Sequence, residues 1–117
     1  MERVNAHHPF SLPEKINIAT IDLSFISVTK VIPNIIGHLT QPGFIIVLFK
    51  PQFEAERKEV GKGGIIKDPQ IHARVLGRFI VWATEHDLRL RRLVVSPILG
   101  AEGNREFLIL LAPKQIK

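Results

Sequence analysis

The chain has 117 residues, the length of one domain or a piece of one, and its composition of 45% hydrophobic and 23% charged residues is that of a globular protein. It contains no cysteine, which excludes disulfides, thiolate metal sites and cysteine nucleophiles. Its formal net charge of +5 favours a phosphate-rich or other anionic partner, although many small basic domains bind none.

The first predicted elements are a strand and a helix. Residues 16–25 are apolar and β-branched and predict a strand that ends near Asp22. A helix is predicted to begin at Ser27 or Thr29, either of which can cap it, and Pro33 is expected in its first turn or at a kink. The apolar positions with helical spacing are Val31, Ile32, Ile35, Ile36 and Leu39.

A turn at Gln41-Pro42-Gly43 is predicted to lead into a second strand. The continuous apolar run of residues 43–49 is typical of a strand that is buried on both faces, and it ends at Lys50. Residues 51–67 are polar, charged and glycine-containing, and they are too many for an ordinary connection. We expect a lid or binding loop there, either functional or mobile.

The second half predicts one long helix and a hairpin. Asp68 is a good N-cap, Pro69 suits the first helical position, and the apolar stripe that follows predicts a helix ending near Asp87. Residues 89–96 and 106–112 read as two strands joined by a glycine-bearing turn. This order predicts an α/β fold, one half of a doubly wound sheet with two helices on one face and an antiparallel last strand.

A glycine-rich turn that binds a nucleotide-type cofactor is missing from the pattern. Such a turn follows an early strand and leads into a helix. The glycine cluster Gly61-Lys62-Gly63-Gly64 follows no strand directly and matches no phosphate-binding fingerprint. The sequence therefore predicts a partial domain whose cofactor half lies elsewhere.

Three ionisable residues fall at predicted strand ends, namely Asp22, Lys50 and Glu106. Parallel strands end at the same edge of a sheet, and an antiparallel neighbour begins there, so the three can converge. The alternative is that these charges only mark where strands emerge into water.

Several strings resemble those of TlyA-type (haemolysin A) proteins, a group of FtsJ-like methyltransferases. They are IDLSFISVTKVIP, VLFKPQFEAERKEVGKGGIIKDP and SPILGAEGNREFLILL, in the family's order, and the resemblance covers residues 1–112. It includes ERVNA, which resembles the segment after the family's third strand.

The resemblance implies strands 4 to 7 of a Rossmann-like, S-adenosylmethionine-dependent methyltransferase fold. It implies RNA, and ribosomal RNA in particular, as the substrate of ribose 2′-O-methylation. Asp22, Lys50 and Glu106 match three of the family's four catalytic positions, and the first lysine of that set has no counterpart. Asp22 and, more weakly, Asn5 are implied in cofactor binding. On this basis residues 1–117 are a partial domain without the cofactor turn and the N-terminal RNA-binding domain.

The chemistry suits these residue types. A ribose hydroxyl is a poor nucleophile at neutral pH, so a base must take its proton as it attacks the methyl group. Lys50 is the candidate base, while Asp22 and Glu106 would orient the amine and the ribose. Without the missing parts, we expect this chain alone to bind cofactor weakly and to turn over little.

Basic and polar side chains near these strand ends are candidates for contact with RNA phosphates. They are Arg57, Lys58, Lys62, Lys67, Asn104 and Arg105. The cations of the loop can equally be solvated charges, and Asn104 and Arg105 can equally build the hairpin turn. Phe53 can stack on a base, although a phenylalanine beside a strand end is more often core.

Two other functions are alternatives to the methyltransferase. The alternatives are a non-catalytic RNA-binding or interaction domain and, with less support, a membrane-active haemolysin.

No metal site is predicted, because the adjacent His7 and His8 have no further ligand at suitable spacing. We expect a cytoplasmic protein, since no secretion signal or membrane-spanning run is present, and a homodimer formed through an uncovered sheet face or edge strand.

Overall fold

The computed structural model describes residues 16–61, 63–100 and 103–114. Its strands are β1 (Ile16–Ile21), β2 (Leu39–Phe49), β3 (Leu88–Val95) and β4 (Phe107–Pro113). Its helices are α1 (Ile32–Ile36), α2 (Pro51–Glu54) and α3 (Pro69–Glu85), with single 3-10 turns at Val28–Lys30 and Arg57–Glu59.

The four strands form one sheet in the order β1-β2-β4-β3. β1 runs parallel to β2, and β4 runs antiparallel to both β2 and β3. The last strand is therefore inserted between its two predecessors, and β3 and β4 form the predicted hairpin. The prediction of a half of a doubly wound α/β sheet with an antiparallel last strand is confirmed.

Two local predictions were wrong. The segment Gln41-Pro42-Gly43 is not a turn but lies inside β2, where the pairing of β1 with β2 jumps from Ile16↔Leu39 to Ile18↔Phe44. The extra residues are absorbed as an irregularity in the strand, which tolerates the missing proline N–H. The single helix predicted from Ser27 is instead a 3-10 turn followed by α1, because Pro33 suits only the first turn of a helix.

One face of the sheet and two helices enclose the core. Alternate residues of β2 and β4, such as Val47, Phe49 and Ile109, are fully buried. They share one apolar cluster with Ile32 of α1 and with the α3 stripe of Val75, Phe79 and Ala83. The rings of Phe49 and Phe79 are 5.0 Å apart, and burial of one such side chain contributes about 1.5–3 kcal/mol.

The opposite face of the sheet is apolar over β1, β2 and β4 and only partly buried. Phe44, Ile46 and Leu48 of β2 and Leu108 and Leu110 of β4 alternate with the core residues and remain partly exposed. Ile18 of β1 is 43% exposed. Within the described residues, therefore, the helices cover one side of the sheet much more completely than the other.

The segment after β2, predicted as a lid or binding loop, is anchored to α3. The Glu59 side chain is 4% exposed and accepts hydrogen bonds from Arg78 of α3, at 2.9 Å from Nη1 and 2.5 Å from Nη2. Arg74 lies 3.6 Å from the same carboxylate. A buried carboxylate needs such partners to remain ionised, and they hold the pKa of Glu59 at about 2, chiefly through the hydrogen bonds from Arg78.

Replacement of Glu59 is expected to destabilise the protein in a pH-dependent way. Because the folded pKa lies below the ordinary value of 4.5, the stabilisation is present above that value and is lost as the pH falls towards 2. At pH 7, Glu59→Gln should lower the free energy of unfolding by on the order of 1–2 kcal/mol, since the arginines remain half exposed to water. Urea unfolding of both proteins between pH 7 and pH 3 measures this difference.

The control is Glu85→Gln, on the exposed surface of α3, which should change stability little at any pH. If the difference in the free energy of unfolding between the unmodified protein and Glu59→Gln stayed constant as the pH fell through 4.5, the role given to the ion pair would be contradicted.

Candidate functional site

Asp22 and Lys50 meet at one edge of the sheet. Asp22 follows β1 and Lys50 follows β2, and since the two strands are parallel their carboxyl ends lie side by side. Lys50 Nζ donates to Asp22 Oδ1 at 2.5 Å and lies 3.4 Å from Ser24 Oγ. The lysine side chain is 13% exposed and the aspartate 60%, so a largely covered ammonium is held by an accessible carboxylate.

Glu106 lies at the same edge. It precedes β4, and the last registered pair of β2 and β4 is Phe49↔Phe107, so Lys50 and Glu106 each stand one residue beyond that pair. The backbone N–H of Ser96 donates to the Glu106 carbonyl oxygen at 2.9 Å, which extends the pairing of β3 and β4 to this residue. The structure thus brings Asp22, Lys50 and Glu106 to one rim; their catalytic roles stay predictions.

The Glu106 side chain is closely surrounded. The residue is 7% exposed, and its Oε2 lies 3.4 Å from the donor Nε2 of Gln52. Gly100 packs against the same carboxylate, so closely that a Cβ atom at that position would overlap Oε2. The turn that carries Gly100 is closed by its backbone N–H, which donates to the Asn104 carbonyl oxygen at 2.7 Å.

Glu54 joins the segments that follow β1 and β2. Its carboxylate accepts hydrogen bonds from Ser27 Oγ at 2.6 Å and from the backbone N–H of Val28 at 2.9 Å. The pKa of Glu54 is raised above its ordinary value, because the effect of burial exceeds the opposite effect of these two hydrogen bonds. The contact holds α2 against the start of the 3-10 turn, next to the Asp22–Lys50 pair.

An exposed aromatic side chain stands beside this rim. Phe25 is 89% exposed and has a backbone φ of 66°, which is unusual for a bulky residue. Its ring lies 4.9 Å from that of Phe53, with a tilt of 51°. The pair presents an aromatic surface to solvent.

The residues predicted to bind RNA divide into two groups. Arg57, Lys58, Lys67 and Arg105 are exposed. Asn104 is 2% exposed and uses its side chain internally, accepting from the Ile66 N–H at 3.0 Å and donating to the Gly64 carbonyl at 2.9 Å. These two bonds hold the hairpin turn to the segment after β2, and contact of Asn104 with RNA stays a prediction. Lys62 and Asn5 lie outside the described residues.

Sequence reasoning did not select several residues of this rim. They are Ser24, Phe25, Gln52, Glu54 and Gly100. Most lie within three residues of Asp22 or within four residues of Lys50, in the strings DLSF and KPQFE. The sequence signal that could have identified them was therefore their proximity to a predicted site residue. No pattern in the sequence indicates that Gly100 packs on Glu106.

Comparison with known families identifies the family of this chain. The sequence model of the FtsJ-like methyltransferase family matches residues 1–112. The chain belongs to the FtsJ-like methyltransferases. In this family context, the rim that holds Asp22, Lys50 and Glu106 corresponds to the strand ends at which doubly wound folds bind their ligands.

Individual relatives support the same assignment. YqxC of Bacillus subtilis is 43% identical over 116 residues, which are 93% of this chain and 40% of that protein. The 16S/23S rRNA (cytidine-2′-O)-methyltransferase TlyA of Mycobacterium tuberculosis is 34% identical over 113 residues, 95% of this chain and 42% of that protein. A solved structure of a protein from Streptococcus thermophilus, described as a hemolysin, superimposes with a TM-score of 0.88 at 36% identity and covers 98% of this chain and 42% of that one.

The chain thus spans about two fifths of the length of the relatives it matches. Among the described residues, no helix has both the length and the apolar character needed to cross a membrane.

Proposed function

We propose that this chain is the part of an S-adenosylmethionine-dependent RNA methyltransferase that carries the acceptor side of the reaction, with the 2′-hydroxyl of a ribose in ribosomal RNA as acceptor. The observation that carries the proposal is the Lys50–Asp22 contact of 2.5 Å at the same sheet edge as Glu106. The name of the Mycobacterium tuberculosis relative, which states methylation of cytidine 2′-oxygens in 16S and 23S rRNA, supports the choice of substrate.

The residues of the rim fit the methyl donor only in part. S-adenosylmethionine, when bound, supplies a methyl group carried on a sulfonium. The exposed carboxylate of Asp22 suits a neighbouring cation or hydroxyl, and Asn5 is proposed as a further, weaker contact. The glycines at 61–64 close a local turn, in which the Gly61 N–H donates to the Ile65 carbonyl oxygen at 2.9 Å. We therefore propose that a separate segment binds most of the cofactor.

The proposed base is Lys50. In the ion pair with Asp22 its amine is an ammonium, which passes a proton to solvent before the amine accepts one from the ribose hydroxyl. Asp22 fixes the amine in place, and Glu106 orients the ribose. The contribution of this constellation is mainly positional, because it holds the acceptor oxygen and the base in reacting geometry.

The surroundings of the rim suit RNA. Arg57, Lys58, Lys67 and Arg105 are exposed cations that can contact phosphates without regard to sequence. The Phe25–Phe53 pair offers a face on which an unstacked base can lie, a common mode of single-stranded RNA recognition. Such a substrate is consistent with the expected cytoplasmic location.

A chimaera provides the test of activity. This chain would replace the matched C-terminal segment of the Mycobacterium tuberculosis relative, and transfer of labelled methyl groups from S-adenosylmethionine to rRNA would be measured. We expect the chimaera to transfer labelled methyl groups to rRNA. Lys50→Arg keeps the charge but cannot give up its proton, and it should lower the rate by at least about 100-fold, the usual lower limit for loss of a general base.

Arg89→Lys, which changes an exposed cation at the start of β3 in the opposite direction, is the matched control and should retain most of the activity. A folded chimaera that bound cofactor and RNA but transferred no methyl group would contradict the proposal and favour a non-catalytic RNA-binding domain. If the Lys50→Arg chimaera were active, the proposed methyltransferase function would stand, but the proposed role of Lys50 as the base would be contradicted.

We further propose that this chain by itself forms a two-fold dimer through the partly exposed face of its sheet. Positions 18, 20, 44, 46, 48, 108, 110 and 112 alternate with the core residues of β1, β2 and β4, and none of them is charged. This uncharged area ends at β3, where Arg92 and Arg89 pair with Leu110 and Ala112, and a two-fold contact can cover it with the same area of a second copy. Contiguous apolar surfaces of this kind are usually covered.

Sedimentation equilibrium at concentrations up to the millimolar range tests the dimer. The unmodified chain should sediment at twice its monomer mass, and Ile46→Lys should sediment as a monomer because a buried, unpaired charge destabilises the interface. Val81→Lys is the matched control, since Val81 is 59% exposed on α3, on the other side of the sheet. A monomeric unmodified chain, or a dimer that survives Ile46→Lys, would contradict the proposed interface.

A further inference from the structure

The carboxylate of Glu106 is held between two residues that the predicted mechanism does not use. The side-chain Nε2 of Gln52 lies 3.4 Å from Oε2 on one side. On the other side lies the Cα of Gly100, where any side chain would occupy the volume of the carboxylate. We call these two residues the Glu106 socket. Since Glu106 is only 7% exposed, a ligand atom can approach its carboxylate from few directions.

The socket joins two segments that are far apart in sequence. Gln52 belongs to α2, directly after the candidate base Lys50, and Gly100 belongs to the turn between β3 and β4. That turn is closed at its base by the Asn104 carbonyl, which accepts from Gly100 N–H at 2.7 Å, and by Gly100 itself, which accepts from Gly103 N–H at 3.1 Å. The position of the carboxylate is therefore set relative to Lys50 and not only by its own strand.

One atom of the socket has an unused hydrogen-bonding capacity. Gln52 Oε1 is buried and finds no hydrogen-bond donor in the described part of the chain. A buried acceptor without a partner is destabilising. Native proteins have few such atoms, and this one lies beside the candidate catalytic carboxylate, where it can accept from a donor of a bound ligand.

A hydroxyl is a donor that fits either acceptor. A ribose 2′-hydroxyl can donate its one proton to the carboxylate or to the amide oxygen while the RNA is bound, and this proton passes to Lys50 only when the methyl group is transferred. A deoxyribose at the same position offers no donor. The socket is thus suited to distinguish RNA from DNA by the group that distinguishes them chemically.

We propose that Gln52 and Gly100 are positioning residues that hold the Glu106 carboxylate for a ribose hydroxyl and so make the site selective for RNA. The inference rests on the proposed RNA methyltransferase function. It adds that selectivity for ribose depends on the socket and not on the cations that contact phosphates.

The test uses the chain itself and two single-stranded oligonucleotides of one sequence, one of RNA and one of DNA with the same bases. The side-chain NH2 resonances of Gln52 are followed by 1H–15N NMR spectroscopy while each oligonucleotide is added. RNA should shift these resonances and DNA should not, although both should shift the backbone signals of Arg57 and Lys58. The affinity should favour RNA about tenfold, the equivalent of one hydrogen bond to a charged group.

Two variants separate positioning from a general loss of structure. Gln52→Met keeps the length of the side chain and removes its polar groups, and Gly100→Ala displaces the carboxylate. Each should reduce the preference for RNA to about unity while the affinity for DNA is unchanged. If Gly100→Ala fails to fold, Gln52→Met alone decides the question.

The matched controls are Gln70→Met, at an exposed position of α3, and Gly37→Ala, where an added Cβ meets nothing within 4 Å. Both should keep the preference for RNA. Binding of RNA and DNA with equal affinity, or an RNA preference that survives Gln52→Met, would overturn the inference and leave the proposed function standing. Absence of binding to either oligonucleotide would overturn the inference and count against the RNA function as well.

Discussion

The insertion of β4 between β2 and β3 is the constraint on which the candidate site depends. The parallel pairing of β1 with β2 brings together only Asp22 and Lys50. Because β4 runs in the opposite direction, its first residue lies where its neighbours end, and the pairing of Phe49 with Phe107 brings Glu106 to the same rim. A slip of one residue would turn the side chains of β4 to the other face and would bury the wrong set.

The register is stabilised by the core and the rim is stabilised by its own contacts. Phe49, which precedes Lys50, is fully buried against Phe79 of α3, so Lys50 cannot shift along the strand without opening the core. Around the rim, Glu54 holds the start of α2 to Ser27, and Glu59 holds the following segment to α3. At the same rim, the carboxylate of Asp22 is 60% exposed while the side chain of Lys50 is 13% exposed, so a ligand can reach the pair from the side of Asp22.

Much of this arrangement could be predicted from the sequence. Apolar runs and the Asp68-Pro69 helix start predicted the sheet, α3 and the hairpin, and charges at strand ends predicted the positions of Asp22, Lys50 and Glu106 at one edge. The irregular pairing of β2 was missed because proline and glycine at 42 and 43 are typical of turns, and only the neighbouring strand makes them part of the sheet. The burial of Glu59 and Asn104 was missed because their partners are 19 and 38 residues away in sequence. Local patterns carry no information about such contacts.

Cysteine pairing offers the most direct measurement of the central claim, that the β2–β4 register places Lys50 opposite Glu106. The chain has no cysteine of its own, so Lys50→Cys combined with Glu106→Cys introduces a single pair. Residues opposite each other in antiparallel strands lie about 4.5–5.5 Å apart at Cα, within reach of a disulfide. The matched variant combines Lys50→Cys with Lys114→Cys. Lys114 follows the far end of β4, roughly 27 Å from Glu106 at about 3.4 Å per residue. After mild oxidation and proteolysis, mass spectrometry should find a disulfide between positions 50 and 106 and none between 50 and 114 in the matched variant. A disulfide in the second protein and not in the first would contradict the register and the shared rim.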